Sequence, residues 1–205
     1  MKKLFAILYY SFFFTTLSSA QIQFGPKAGL IISNLNGNER NFESKLGFEI
    51  GALFTYSFND YLAVQPEIYY TTKGAKDTTI ETEVHSLTIL LDYIEVPILF
   101  KFSYPLKSYQ INPSVYLGPA FSFKTGANIR EDVGGLILEG SYNYVKTVDY
   151  SLVFGGSVGF QLKKSEYGLD IRYVMGMTSI YDRDKYDFDV KNRTLSFSIY
   201  MSSSF

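Results

Sequence analysis

The sequence has no cysteine, no tryptophan and a single histidine in 205 residues. Without cysteine there is no disulfide framework, no thiolate metal site and no cysteine nucleophile. Charge of one sign is also missing: 19 Lys and Arg stand against 20 Asp and Glu, a formal net charge of −1. That balance gives no basic surface for nucleic acid, and no charge run reads as an interaction tail. Hydrophobic content is an ordinary 46%, which argues against a helical membrane protein. Amphipathic helix is missing too: no stretch of ten or more residues carries the 3.6-residue period. The length suggests one domain.

What is present is phenylalanine and tyrosine, 18 of each, both natural strand residues. The opening "MKKLFAILYYSFFFTTLSSAQ" stands apart. Lys2 and Lys3 precede an apolar run from Leu4 to about Leu17, and Ser18, Ser19 and Ala20 close it. This reads as a secretory signal peptide, residues 1–20, cut before Gln21. The run is short for a helix crossing about 30 Å of hydrocarbon. With no cysteine at the junction it is not a lipoprotein signal. Residues 21–205 are then the mature domain, outside the cytoplasm.

From Gln21 onward the dominant period is two. Eight strands are expected, near 22–33, 44–57, 60–73, 87–103, 109–124, 149–162, 166–177 and 194–205. The second, for example, sets Leu46, Phe48, Ile50, Ala52, Phe54 and Tyr56 against Lys45, Gly47, Glu49, Gly51 and Thr55. In the fourth, "LTILL" breaks the phase, so a bulge or register change is expected there. Pro66, Pro97, Pro113 and Pro119 fall inside strands, and bulges or ladder breaks are expected near them. Each strand is long enough to cross a bilayer as a tilted strand of about 9–11 residues. The connections alternate: "SFND", "SYPLKS" and "KKSE" are short. Those near 34–43, 74–86, 125–148 and 178–192 are long and polar. Short turns at one end and long loops at the other is the outer-membrane pattern. The fold expected is all-β: an eight-stranded antiparallel up-and-down transmembrane β-barrel with both termini periplasmic.

Alternation alone does not say which face is outside, since a lipocalin alternates with its apolar face inward. Here the polar face is rich in Gly, Ser and Thr and carries charges of both signs: Lys27, Lys45, Glu49, Glu67, Glu95, Lys101, Asp170 and Arg172. The apolar face is nearly free of charge. In a barrel of eight strands the interior barely holds its side chains, and mixed charges there can pair and fill it. Glu67 and Glu95 could be read as a general acid and base. A buried interior network is the reading adopted, because buried charges must pair. The final stretch, "TLSFSIYMSSSF", alternates Phe197, Ile199 and Met201 with hydroxyls and ends on Phe205. That apolar stripe has lipid as its partner. It resembles the C-terminal signature read by the barrel-assembly machinery.

Further stretches carry a family likeness. "FGPKAGLIISNLNG", "QPEIYYTTKG", "DYIEVPILFKF", "YLGPAFSF", "LDIRYVMGMTSI" and "KNRTLSFSIYMSSSF" follow one another in order. Lys27 with Gly29, Gln65 to Glu67 with Lys73 and Gly74, Tyr93-x-Glu95-x-Pro97, Gly118-Pro119, Arg172-Tyr173 with Gly176, and Phe205 carry it. Over essentially the whole mature chain this resembles the PorT-like outer-membrane β-barrel family of Bacteroidota. The resemblance implies an outer-membrane location and an association with secretion for some members.

The function expected is that of a small integral outer-membrane barrel, non-enzymatic, serving envelope stability or binding a partner or ligand through its loops. Its partners would be outer-membrane lipid, the barrel-assembly machinery during insertion and another envelope protein. A narrow passive channel and a soluble periplasmic lipocalin-like carrier of apolar ligands are the alternatives. No catalytic, cofactor or metal site is expected. The lone His85 stands beside Ser86, with Asp77 and Asp92 as the acids that could orient it in a triad, but a lone histidine in a loop is read as solvated. Asp182, Asp184, Asp187 and Asp189 lack the glycine and terminal glutamate of an EF-hand loop.

Overall fold

Nine strands make up the described part of the computed structural model, which covers residues 21–37, 42–77, 84–133, 136–142, 144–181 and 189–204. They are β1 (Gln21–Gly37), β2 (Glu43–Ser57), β3 (Leu62–Asp77), β4 (Val84–Ser103), β5 (Ile111–Val133), β6 (Leu136–Ser141), β7 (Val148–Leu162), β8 (Ser165–Gly176) and β9 (Val190–Ser204). All pairings are antiparallel. Eight strands form a closed ring, β1-β2-β3-β4-β5-β7-β8-β9, and β9 returns to β1 from Gln23↔Ser204 to Gly37↔Val190. Closure leaves no ladder edge within the ring, which is the condition for crossing hydrocarbon as a sheet. β6 hangs outside the ring on the upper part of β5. The expected signal peptide, Phe205, and Asp182, Asp184 and Asp187 lie outside the described residues.

The faces are those of a membrane barrel. Leu30 is 68% exposed and Ile199 64%, and Phe24, Phe48, Ile50, Phe100, Leu117 and Leu169 are exposed with them. The charged and hydroxylated residues point inward. This overturns the lipocalin-like alternative, which needs the inverse arrangement. On β1 the stripe from Ile22 to Ile32 covers about 33 Å of strand, or about 25 Å of bilayer at the usual tilt near 40°. Aromatic rings border the belt. Tyr56 packs on Phe58, and Tyr61 on Phe102, at the short-turn end. Phe48 on Tyr70, Phe121 on Tyr150 and Phe154 on Tyr173 mark the other end.

Above the belt the strands run on where long loops were expected. β3 reaches Asp77, β4 begins at Val84, and β5 continues to Val133 and turns into β6. In this upper part the faces exchange roles. Leu35, Ala75, Ile89, Leu91, Tyr93, Val145, Ile180, Tyr181 and Val190 form a buried apolar cluster inside the ring. Water replaces lipid outside, so apolar side chains go in, as in any soluble sheet. "LTILL" therefore keeps its phase, with Ile89 and Leu91 inward. The irregularities flank it instead, between Val84 and Ser86 and between Asp92 and Tyr93. The prolines open the ladder without shifting it. Pairing lapses between Leu53↔Glu67 and Tyr56↔Val64, between Pro66↔Ile98 and Tyr69↔Glu95, and between Pro97↔Ala120 and Phe100↔Leu117. Each gap borders a residue with no N–H to donate. Pro113 pairs without a gap.

Candidate functional site: the ionic lumen

Room for large side chains in so narrow a ring comes from glycine. Across the ladder Lys27 faces Gly51, Glu49 faces Gly29, Arg172 faces Gly155 and Tyr200 faces Gly168. The fit is tight: a Cβ on Gly155 would lie 2.7 Å from the Tyr116 hydroxyl and 2.8 Å from the Arg172 Cβ.

At mid-height four charges form a neutral set. The Arg172 guanidinium grips Glu67 through Nη1 at 2.7 Å and Nη2 at 3.1 Å, a two-point fork. Its Nε donates to Asp170 at 3.0 Å. Lys27 Nζ donates to Asp170 at 2.8 Å and lies 3.7 Å from Glu67. Tyr116 donates its hydroxyl to Asp170 at 2.6 Å, and Gln65 Nε2 donates to Glu67 at 2.7 Å. The Tyr69 and Tyr116 rings lie 5.9 and 5.4 Å from the guanidinium carbon. Arg172 is 1% exposed and Glu67 3%. Charges so buried persist only when paired and hydrogen-bonded, and here each charged side chain has both an opposite charge and a hydrogen bond.

Four more groups stack along the lumen. Toward the long-strand end Lys73 donates to Glu95, which also accepts from Tyr69 at 2.7 Å and Ser122 at 2.6 Å. Above that, Asp149 accepts from Thr178 and Asn192 at 2.7 Å each. Toward the short-turn end Lys101 donates to Gln65 at 3.2 Å, while Glu166 accepts from Tyr200 at 2.8 Å and Asn112 at 3.0 Å. Glu49 accepts from Ser196 at 2.8 Å and from Ser198 at 2.5 Å.

Of the eight charges singled out in the sequence, Lys27, Glu67, Asp170 and Arg172 form one set. Glu95, Glu49 and Lys101 lie in the lumen beside it with other partners. Lys45 is half-buried near the upper end, its Nζ 3.5 Å from the Lys73 carbonyl, and takes no part. Glu67 and Glu95 each have a cation of their own and do not form an acid–base couple. Sequence reasoning left out Lys73, Tyr69, Tyr116, Ser122, Glu166 and Tyr200 as network members. Their places on inward-facing positions were the available signal. Phe197, Ile199 and Met201 all point outward. The backbone of His85 lies in β4, and Asp189 is 3.3 Å from Lys191. Among the described residues no group of three or more His, Cys, Asp or Glu could hold a metal ion.

Solved structures share this architecture. OprG from Pseudomonas aeruginosa superposes with a TM-score of 0.55 at 10% identity, over 91% of this chain and 96% of that one. Neisserial surface protein A superposes with a TM-score of 0.50 at 16% identity, over 89% and 97%. Ail of Yersinia pestis gives 0.47 at 16% identity, over 88% and 97%. At these identities the likeness is one of fold. No curated protein sequence matches the chain. The model of the outer membrane protein beta-barrel domain matches residues 17–182, so this outer-membrane barrel belongs to that family.

Proposed function

We propose that the chain is a non-enzymatic, non-conducting barrel of the outer membrane that serves the envelope as a rigid scaffold and offers its upper sheet to a partner. Residues 1–20 direct export, and the mature chain starts at Gln21. The barrel-assembly machinery reads the outward stripe Phe197, Ile199 and Met201 with Phe205. Both termini and the short turns face the periplasm, and the long strands face outward.

The observation that carries this reading is the filled lumen. Arg172, Glu67, Lys73 and Glu95 are each 3% exposed or less; the Arg172–Glu67 fork spans the ring from β8 to β3, and the Lys73–Glu95 pair of the neighbouring strands β3 and β4 fills the lumen above it. A solute would have to break several charge-assisted bonds to pass. Above the membrane, β3, β4, β5 and β6 form a projecting sheet on which Leu136, Ile137 and Leu138 are exposed, which supports contact with another envelope protein. The PorT-like motifs favour a component of the secretion apparatus as that protein.

The test is conductance. Purified protein whose band shifts between unboiled and boiled gels is added to planar bilayers. The closed lumen predicts no steady current, and a stable ohmic conductance would overturn it.

A further inference from the structure

The outward face of the β1–β9 ladder changes chemistry within one residue pair. Ascending from the membrane centre the pairs are Ala28↔Ile199, Leu30↔Phe197 and Ile32↔Leu195, then Asn34↔Arg193 and Asn36↔Lys191. At this height a groove of about 400 Å³ opens on the outer wall. Ile32 and Leu195 lie at its base, Asn34 and Arg193 line its wall, and Ser44 and Tyr173 flank it.

Arg193 is held in place. Its Nη1 donates to the Gly176 carbonyl at 2.6 Å and to the Asn192 carbonyl at 3.1 Å. These bonds hold the half-buried guanidinium against the wall, unlike a side chain that merely snorkels. They use one nitrogen. Nε and Nη2 keep their protons for another acceptor, and among the described residues no carboxylate ion-pairs with Arg193. Its neighbour Lys191 differs, being 3.3 Å from Asp189. Asn34 Oδ1 accepts from the Leu35 N–H at 2.7 Å, which turns the Nδ2 donors away from the backbone. The groove thus offers an unpaired guanidinium and an amide donor directly above an apolar wall.

We propose that this groove binds the phosphate of a membrane lipid headgroup, with Arg193 and Asn34 as donors and the acyl chains lying along Ile32, Leu195, Leu30 and Phe197. A guanidinium matches phosphate geometry with two parallel bonds. The position at the end of the apolar belt is where a headgroup stands when its chains fill the belt. The proposal rests on the membrane-spanning reading given above and adds a lipid class to it.

The test uses purified, delipidated barrel in detergent and native mass spectrometry. Phosphatidic acid is titrated against diacylglycerol with identical chains, which differs only by the phosphate. Wild-type protein is expected to retain one phosphatidic acid in preference to diacylglycerol, and Arg193→Gln to bind it about tenfold more weakly, the effect of one charge-assisted contact. Should that variant lose its heat-modifiable band, Asn34→Ala makes the same comparison, with weakening expected. Equal retention of the two lipids, or equal affinity in wild type and variant with the heat shift intact, overturns the lipid site alone. Displacement by an equal concentration of inorganic phosphate also overturns it, because the site would then take the free anion. Absence of a heat shift in the wild-type protein overturns the barrel reading and this proposal with it.

Discussion

Replacing Arg172 by methionine removes one positive charge from a neutral set of four. Glu67 and Asp170 remain, 3% and 6% exposed, with Lys27 as the one cation between them. At an effective dielectric near 20, the attraction across the 2.7 Å Arg172–Glu67 contact is about 6 kcal/mol. Water entry and relaxation recover part of this, so the expected loss of stability is about 3–5 kcal/mol, the usual cost of breaking a buried pair. The double variant Arg172→Met with Glu67→Met removes one charge of each sign. It leaves the 2.8 Å Lys27–Asp170 pair intact and is expected within about 2 kcal/mol of wild type. Equilibrium urea unfolding in lipid vesicles measures both, read by the heat-modifiable band and by tyrosine fluorescence, which no tryptophan obscures. A single variant that loses less than about 1 kcal/mol would refute the reasoning. So would a double variant whose loss equals the sum of the two single losses, because paired charges must be coupled.

Three further substitutions probe other parts of the barrel. Leu30→Arg places a charge on the exposed outer stripe between the midplane and the upper edge of the belt and should cost about 1–3 kcal/mol, measured by the same unfolding; no loss would mean that water bathes this face. Gly168→Leu should cost about 1–3 kcal/mol, because a Cβ there would lie 2.2 Å from the Tyr200 ring and must dislodge its hydroxyl from Glu166. Gly140→Ala, where a Cβ would meet nothing within 4 Å, should leave the midpoint unchanged.

The barrel wall was legible in the sequence because lipid imposes one rule on every strand. In β2 and β9 each second residue is apolar over the whole width of the membrane, and no local competitor disturbs the period. The upper strands were hidden because that rule reverses above the belt. Ile89 and Leu91 turn inward there, so an unbroken strand resembled a phase error, and β5 beyond Thr125 resembled a loop. The lumen was legible as a set of charges and illegible as a set of pairs. Arg172 and Glu67 meet 105 residues apart in the chain, and only ring closure brings them together. Lys73 and Glu95 meet through the β3–β4 register, which alternation alone does not fix. Lys45 has the right parity for the lumen but stands too near the upper end to join it. The prolines signalled disturbance correctly in kind at three of four positions, as gaps in the ladder.

The apolar stripes face lipid and the charged face is sealed inside. A chain without cysteine allows this to be read one position at a time. Leu30→Cys, Leu169→Cys and Ile199→Cys would each be placed in reconstituted vesicles with Ser196→Cys as the interior position. A water-soluble maleimide is expected to label none of the four in the folded barrel, because neither hydrocarbon nor the sealed lumen gives the thiol a base or the reagent a path, and to label all four once the barrel is unfolded. Rapid labelling of the outer three by the water-soluble reagent, or of Ser196→Cys in the folded barrel, would contradict this arrangement.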